Sequence, residues 1–306
     1  MSRAADYRHR PVMLAIAGDS AAGKATLAAG LVEALGTDRC LSLSADDYQR
    51  FDRTERVGMS LTPVHPDSNY LGILEQHLQL LATGQPVLKP VYDHAIGLRT
   101  RPELLEPKDF VIVHGVLPLH SKLARACFDV TVYLDPAEGI RRAWKMRRDT
   151  GDRGYTAEQV REALAAAEAA SASVIRPQRV HADIVVSFSR ISGRDDPADT
   201  PLSAEVLLRP TIVQPDLAQI LRPSLTRTAH LRLTRDTDGR PVESMHVHGY
   251  TSEEENEAAE NLIWNALGEP GAEVPQWLGI TGAGRRSTPL AITQMLLLYH
   301  LLQGSR

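Results

Sequence analysis

The amino-acid sequence predicts an α/β fold in which helices flank a mostly parallel sheet, plus a C-terminal added sheet and helices. Strand-like and helix-like segments alternate through the first 190 residues, which is the pattern of a parallel sheet covered on both faces. The first strand-like segment runs into a glycine-rich turn that opens a helix. After residue 190 the sequence changes to turn residues, then to a hairpin pattern and two long helical patterns.

Each predicted element of the first half has its own apolar pattern. Compact apolar runs predict strands, and apolar residues three and four apart predict helices. The predicted strands are Val12–Ala17, Cys40–Ala45, Phe110–Val113, Val130–Leu134 and Ile184–Phe188. The predicted helices are Lys24–Leu35, Tyr70–Leu81, Lys122–Ala126, Glu138–Arg148 and Ala157–Ala170.

The second half begins with residues 191–202, whose Asp, Pro, Ser and Gly content predicts a loop or lid. The predicted strands that follow are Glu205–Ile212, His230–Thr234 and Pro241–Val247, and the predicted helices are Glu253–Leu267 and Pro289–Leu302. We therefore divide the chain into a core at 1–190, a loop or lid at 191–206 and a C-terminal α+β extension at 207–306 packed on the core.

Composition narrows the class of protein. The chain has 306 residues, 43% of them hydrophobic, and a net charge of −4, so general nucleic-acid binding is not expected. No apolar run approaches the roughly 18 residues that a membrane span needs. Two cysteines suit a reducing compartment, and the N-terminus has the character of a short arm leading into a strand. These features predict a cytoplasmic protein with no membrane partner.

The glycine-rich turn is the strongest functional signal. Its glycines let backbone N–H groups point at phosphate oxygens, the helix N-terminus adds a positive dipole end, and the lysine reaches the outer phosphates of a nucleotide. We predict that ATP is bound by Gly18, Asp19, Ser20, Ala21, Ala22, Gly23, Lys24, Ala25 and Thr26. The residue after Lys24 should carry a hydroxyl for Mg²⁺, but Ala25 has none. Thr26 lies about 100° further around the helix, so it does not simply replace that hydroxyl.

Several further motifs occur in a fixed order along the first half. They are Ser42–Tyr48 with its pair Asp46-Asp47, Leu61–Pro66, Lys89–His94, Lys145–Asp149, Arg153–Tyr155 and Ile175–Arg179. Together they resemble the phosphoribulokinase/uridine kinase family of P-loop kinases over most of residues 10–190. The resemblance implies a P-loop kinase core that uses ATP and Mg²⁺. It also implies transfer of the γ-phosphoryl group to the C1 hydroxyl of ribulose 5-phosphate.

The resemblance also implies roles for individual residues. Asp46 would be the base that takes the hydroxyl proton, Lys145 would neutralise the moving phosphate, and Asp149 would hold the sugar or metal region. The sugar phosphate would be bound by Arg53, Tyr92, His94, Arg148 and Arg153. A homodimer or larger homo-oligomer is implied in the same way. The alternative for Asp46, from its residue type alone, is that it caps a loop or helix.

Two positions depart from the family pattern at the metal site. His114 follows the strand Phe110–Val113 where a glutamate that helps place Mg²⁺ is expected, and Ala25 lacks the loop hydroxyl. An imidazole carries no negative charge and prefers softer metals than Mg²⁺. The metal ligands are therefore left unassigned. Three functions stay open, namely a phosphoribulokinase, a related kinase for another sugar or nucleoside, and a catalytically impaired nucleotide-binding paralogue.

Overall fold

The computed structural model describes residues 10–197, 199–221, 227–267, 273–282 and 284–304. The strands are β1 (Val12–Gly18), β2 (Cys40–Ser44), β3 (Val87–Asp93), β4 (Leu98–Leu105), β5 (Phe110–Gly115), β6 (Val130–Leu134), β7 (Ile184–Ser189), β8 (Ser203–Leu208), β9 (Ala229–Arg235) and β10 (Pro241–Val247). The helices are α1 (Lys24–Leu35), α2 (Leu71–Ala82), α3 (Lys122–Arg125), α4 (Glu138–Gly151), α5 (Ala157–Ala170), α6 (Leu217–Ile220), α7 (Glu253–Leu267) and α8 (Thr288–Gly304). The predicted N-terminal arm, residues 1–9, lies outside the described residues.

One mixed sheet organises the described part of the chain, with strand order β2-β5-β1-β6-β7-β8-β10-β9. The first five strands of that order pair in parallel. Strand β1 lies in the middle of the parallel part, and all seven of its residues are buried because helices cover both faces. The carboxyl ends of β1, β2 and β5 therefore meet at one edge of the sheet, where open α/β sheets bind their ligands.

The predicted C-terminal helices and strands β9 and β10 are confirmed, whereas the strand predicted at Glu205–Ile212 is observed at Ser203–Leu208; all three strands continue the main sheet. Strand β8 pairs antiparallel with β7, so that Ala204 lies opposite Phe188 and Val206 opposite Val186. Strand β10 then pairs with β8 and with β9, both antiparallel. The added strands thus share the core of the first half, because their inward side chains join the same apolar cluster.

Helix α8 is the most deeply buried helix of the second half. Every residue from Thr288 to Leu298 is buried, as expected of a helix that is apolar on all sides. It packs against α1, α7 and β8. No helix within the described residues is long and apolar enough to cross a membrane.

The hairpin β3–β4 was not predicted from the sequence. Strand β4 exposes seven of its eight residues, so it shows no apolar alternation. The hairpin forms a separate two-stranded sheet that pairs Val87 with Leu105 and Asp93 with Leu98. It carries the Lys89–His94 motif to the edge of the site described next.

Candidate active site

The glycine-rich loop forms a tight turn between β1 and α1. A Cβ atom at Gly18 would lie 2.6 Å from the carbonyl oxygen of Leu134, so only glycine fits there. Gly23 has φ 94° where the helix begins, and Ala21 has φ 64° although it is not glycine. A non-glycine residue in this region is strained and is found mostly at functional sites.

Lys24 folds back over the loop that it follows. Its buried ammonium group donates hydrogen bonds to the carbonyl oxygens of Gly18, at 3.0 Å, and Asp19, at 2.8 Å. Burial lowers the pKa of Lys24, and the nearby carboxylates of Asp46 and Asp19 oppose this shift. The ammonium group is thus held beside the loop by weak acceptors that a phosphate oxygen can replace.

Asp19 stabilises the glycine-rich loop through hydrogen bonds to its carboxylate. Its carboxylate accepts from the backbone N–H of Ser20 at 2.7 Å and, in a short hydrogen bond, from the hydroxyl of Ser171. Arg141 of α4 lies 3.6 Å from the same carboxylate and donates to the Ser20 carbonyl at 3.1 Å. Ser171 begins a π-helical turn, Ser171–Ile175, of the kind that is frequent at functional sites. The loop is therefore fixed to α4 through Arg141 and to the π-helical turn through Ser171.

Asp46 and His114 stand together at the ends of neighbouring strands. The register of β2 against β5 places Ser44 beside His114, and Asp46 follows two residues later in a 3₁₀ turn. One oxygen of Asp46 accepts from the Val116 backbone N–H at 2.8 Å. Gly115 permits this approach, because a Cβ atom there would lie 2.9 Å from that oxygen. Burial lowers the pKa of His114, so its imidazole is neutral at neutral pH.

Basic residues on α4 and just after it surround one buried carboxylate. Asp149 accepts from Lys145 at 2.7 Å and from Arg148 at 2.8 Å, and it lies 3.5 Å from Arg153. Burial alone would raise the pKa of Asp149, but the bonds from Arg148 and Lys145 outweigh it and lower the pKa. Arg148 also reaches the Ser20 hydroxyl at 3.4 Å. Asp149 therefore orients cations toward the loop.

His94, at the hairpin turn, is held in place by contacts with Arg53 and Tyr92. Arg53 donates to the His94 carbonyl at 2.8 Å, and the Tyr92 ring contacts the His94 ring edge-on at 5.0 Å between centroids. Arg56, which the sequence did not single out, donates to the Tyr92 hydroxyl at 3.0 Å. Burial, followed by the charge of Arg153, lowers the pKa of His94 to about 4. This imidazole is neutral at physiological pH and offers hydrogen bonds rather than charge.

These groups surround one cleft of about 1080 Å³. The predicted residues that line it are Ala21, Ala22, Gly23, Lys24, Ala25, Thr26, Asp46, His94, Arg148 and Arg153, together with His114. The other predicted residues are absent from the lining and support it from behind, namely Gly18, Asp19, Ser20, Arg53, Tyr92, Lys145 and Asp149. The lining also includes residues that the sequence did not predict for the site, among them Trp144, Arg190 and Arg285.

The residues at the metal position do not form a protein site for Mg²⁺. Mg²⁺ prefers oxygen ligands in octahedral geometry, but Ala25 contributes only a methyl group and His114 an imidazole. Asp47, the second carboxylate of its pair, is held in a short ion pair with the buried Lys89. Within the described ranges, no three His, Cys, Asp or Glu side chains are arranged to hold a metal ion.

Comparison with known proteins gives a consistent picture. A family model described as "Phosphoribulokinase / Uridine kinase family" matches residues 13–193. Phosphoribulokinase of Synechocystis sp. is 33% identical over 177 residues, which are 58% of this chain and 53% of that protein. Uridine kinase of Chloroflexus aurantiacus is 29% identical over 181 residues, 57% of this chain and 86% of that protein.

A solved structure, phosphoribulokinase from Rhodobacter spheroides, has the same fold. The TM-score is 0.60 at 17% identity, and the match covers 79% of this chain and 91% of that one. By sequence, the chain spans about half the length of the curated phosphoribulokinases it matches. The sequence match is confined to the first two thirds of the chain, whereas the structural match extends further along it.

Proposed function

The chain belongs to the phosphoribulokinase/uridine kinase family, and we propose that it transfers the γ-phosphoryl group of ATP to the C1 hydroxyl of ribulose 5-phosphate. One observation carries the proposal: Asp46, His94, Arg148 and Arg153 line the same cleft as the glycine-rich loop. A kinase for a sugar phosphate needs these elements together, because the acceptor's hydroxyl, its phosphate and the donor's phosphates must meet.

Each group has a chemical task in this proposal. Asp46 accepts the proton of the attacking hydroxyl, and its bond from Val116 fixes the carboxylate in place. Arg148 and Arg153 bind the phosphate of the sugar through charge-assisted hydrogen bonds. Neutral His94 hydrogen-bonds a sugar hydroxyl, and Lys24 neutralises the outer phosphates of ATP.

Magnesium would arrive with the nucleotide in this proposal. Phosphate oxygens and water supply most ligands of nucleotide-bound Mg²⁺ in kinases, so fewer protein ligands are needed. No step is assigned to a protein-bound metal, because Ala25 and His114 do not provide one.

A second candidate is a nucleotide-binding paralogue with impaired catalysis. The observation that favours it is the joint loss of two oxygen ligands at Ala25 and His114. Loss of metal-centred charge stabilisation removes several kcal/mol in order of magnitude from transition-state stabilisation. ATP would then bind in the loop without efficient transfer.

Release of ADP, measured with ATP and Mg²⁺, separates these functions. The acceptors are ribulose 5-phosphate, ribose 5-phosphate and uridine in parallel. Turnover that depends on ribulose 5-phosphate supports the first proposal, and turnover only with uridine or ribose 5-phosphate contradicts it. Binding of ATP without turnover, restored by the double change Ala25→Thr and His114→Glu, establishes the impaired paralogue.

A further inference from the structure

The cleft has a wall from the distant C-terminal part of the chain, here called the strap and defined as residues 278–282 and 284–287. We propose that the strap binds the nucleoside part of the phosphoryl donor and that Arg285 contacts it directly. This inference rests on the proposed use of a nucleoside triphosphate. It assigns a binding role to residues beyond the family match, which ends at residue 193.

The strap lies directly beside the glycine-rich loop. Thr281, Gly282 and Arg285 line the same cleft as Ala25 and Thr26. A Cβ atom at Gly282 would be 3.8 Å from the Thr26 hydroxyl, so the backbone of the strap runs alongside the first turn of α1. A nucleotide whose phosphates occupy the loop therefore has the strap within reach of its remaining atoms.

The lining of the same cleft has the chemistry that a nucleobase needs. Trp144, Phe188, Leu202 and Leu290 supply aromatic and aliphatic surface to the cleft. The Trp144 ring lies at the loop, 3.6 Å from the position of a Cβ atom at Gly23. Flat apolar surface with a few polar groups is typical of sites for aromatic heterocycles. The basic residues Arg148 and Arg153 instead suit the phosphate of the sugar.

The two adjacent arginines of the strap differ in what they contact. Arg286 makes two hydrogen bonds to the buried carboxylate of Glu260, at 2.8 and 2.5 Å, and so fixes the strap to α7. Among the described residues, the Arg285 side chain has no hydrogen-bond or ion-pair partner, and it is exposed within the cleft lining, while its backbone carbonyl accepts from the Thr281 N–H at 2.8 Å. Its planar guanidinium group is free to stack on a base or to donate to a ribose or base oxygen.

A single buried amide connects the strap to the helix of the glycine-rich loop. Gln294 is completely buried, accepts from the Gly279 backbone N–H at 2.7 Å and donates to the Leu27 carbonyl at 3.1 Å. Gly30 leaves space for it, because a Cβ atom there would collide with the Gln294 amide. Gln294 is therefore a positioning residue that sets the distance between strap and loop.

The test compares two ligands that share phosphates but not a nucleoside. Affinities of the full chain for ATP and for inorganic tripolyphosphate, both with Mg²⁺, are measured by calorimetry. Arg285→Ala is expected to weaken ATP binding about tenfold, which lies between the values of exposed and desolvated cation–π contacts, and to leave tripolyphosphate binding unchanged. Arg240→Ala is the control, since Arg240 is 85% exposed in the distant β9–β10 turn. That variant should bind both ligands like the wild type.

Gln294→Leu tests the positioning role with the same readout. We expect the ratio of ATP to tripolyphosphate affinity to fall as it does in Arg285→Ala. A purely structural role would lower both affinities together. Should Gln294→Leu not fold, exposed Arg285 still carries the test.

Three outcomes overturn the inference. They are wild-type ATP affinity in Arg285→Ala, an equal loss of both ligands in that variant, and a wild-type chain that binds ATP no tighter than tripolyphosphate. Failure of the sugar assignment gives a different result, because ATP binding with the expected selectivity but no turnover on ribulose 5-phosphate leaves the strap's role supported.

Discussion

The carboxylate of Asp46, just after β2, accepts one hydrogen bond from the backbone N–H of Val116, just after β5, and this allows a sharp residue-level test. Asn at this position keeps the acceptor oxygen for Val116 but cannot take a proton. We expect Asp46→Asn to lower turnover by roughly 10²- to 10⁴-fold, the usual contribution of a general base, with ATP affinity retained. Steady-state kinetics and ATP titration of the same preparation check this.

Asp238→Asn is the control for that prediction, because Asp238 lies in the distant β9–β10 turn and is half exposed. It should turn over like the wild type. Equal activity of Asp46→Asn and Asp238→Asn would contradict the role of Asp46 as a base.

Ala25 offers a second test at the residue scale. Ser at this position restores a hydroxyl next to Lys24. We expect the Mg²⁺ concentration for half-maximal activity to fall by about tenfold, because single residues around a metal typically change its affinity by at least that factor. Ala29→Ser is the matched control, since Ala29 is exposed one helical turn further along α1. A Mg²⁺ titration in which both variants behave alike would show that the loop hydroxyl does not matter here.

The sequence predicted which residues belong to the site better than it predicted which of their side chains face the cleft. Asp46, His94, Arg148 and Arg153, which the family resemblance implied for the site, line the cleft. Asp149 lies behind the lining, because three basic neighbours enclose its carboxylate. Which way a side chain turns depends on such neighbours, and one-dimensional spacing does not contain them. Arg285 was missed because only tertiary packing brings it to the loop.

At the scale of elements, the hairpin β3–β4 carries the sugar side of the proposed site. Its turn at Gly97 has φ 76°, and Arg53 packs against it so closely that a Cβ atom there would lie 2.7 Å from the Arg53 Cβ. The Arg53 backbone N–H donates to the Gly97 carbonyl at 2.8 Å. The hairpin turn and Arg53 therefore hold one another in place beneath His94.

Gly97→Ala is expected to displace Arg53 and to raise the KM for the sugar phosphate, with the KM for ATP unchanged. Gly84→Ala is matched to it, since Gly84 has φ 77° but nothing within 4 Å of a Cβ atom. Both changes add backbone strain of about 1 kcal/mol. Only Gly97→Ala should raise the KM for the sugar phosphate. A similar rise in Gly84→Ala would show that general backbone strain, and not displacement of Arg53, causes the effect.

Elements with strong periodicity were predicted almost to the residue, and the weak ones were not. Helices α1 and α7 and strand β10 have the predicted bounds, because glycines flank α1, Ser252 caps α7, and apolar residues alternate along β10. Strand β4 is nearly all exposed and is formed by pairing with β3, so its own sequence has no apolar pattern that predicts a strand. The antiparallel junction between β7 and β8 also depends on pairing partners, which composition does not specify.

At the scale of the whole molecule, buried histidines link stability to pH. Burial lowers the pKa of His94 and of His300 to about 4 in each case. Between pH 6.5 and 4 the unfolded chain binds more protons at these sites than the folded chain. The free energy of unfolding therefore falls as the pH drops through this window, by about 1–2 kcal/mol per histidine at pH 5.

Urea unfolding at pH 7 and pH 5 measures this loss of stability. His300 lies on α8, and its Nε2 is 3.1 Å from Gln214 Oε1. A glutamine at position 300 has no titrating group, so His300→Gln should show a smaller difference between the two pH values than the wild type. An unchanged difference would mean that protonation of His300 does not contribute to acid destabilisation.

The bond from Gln294 to Leu27 joins residues 267 positions apart and has a consequence for biosynthesis. A ribosome adds about 5–20 residues per second. Roughly 15–50 seconds therefore pass between the synthesis of Leu27 in α1 and that of Gln294, whose amide connects α1 to the strap. During that interval α8 is not yet available to pack against α1. The growing polypeptide thus carries a glycine-rich loop without the wall formed by residues 278–282 and 284–287 until Gln294 has been added.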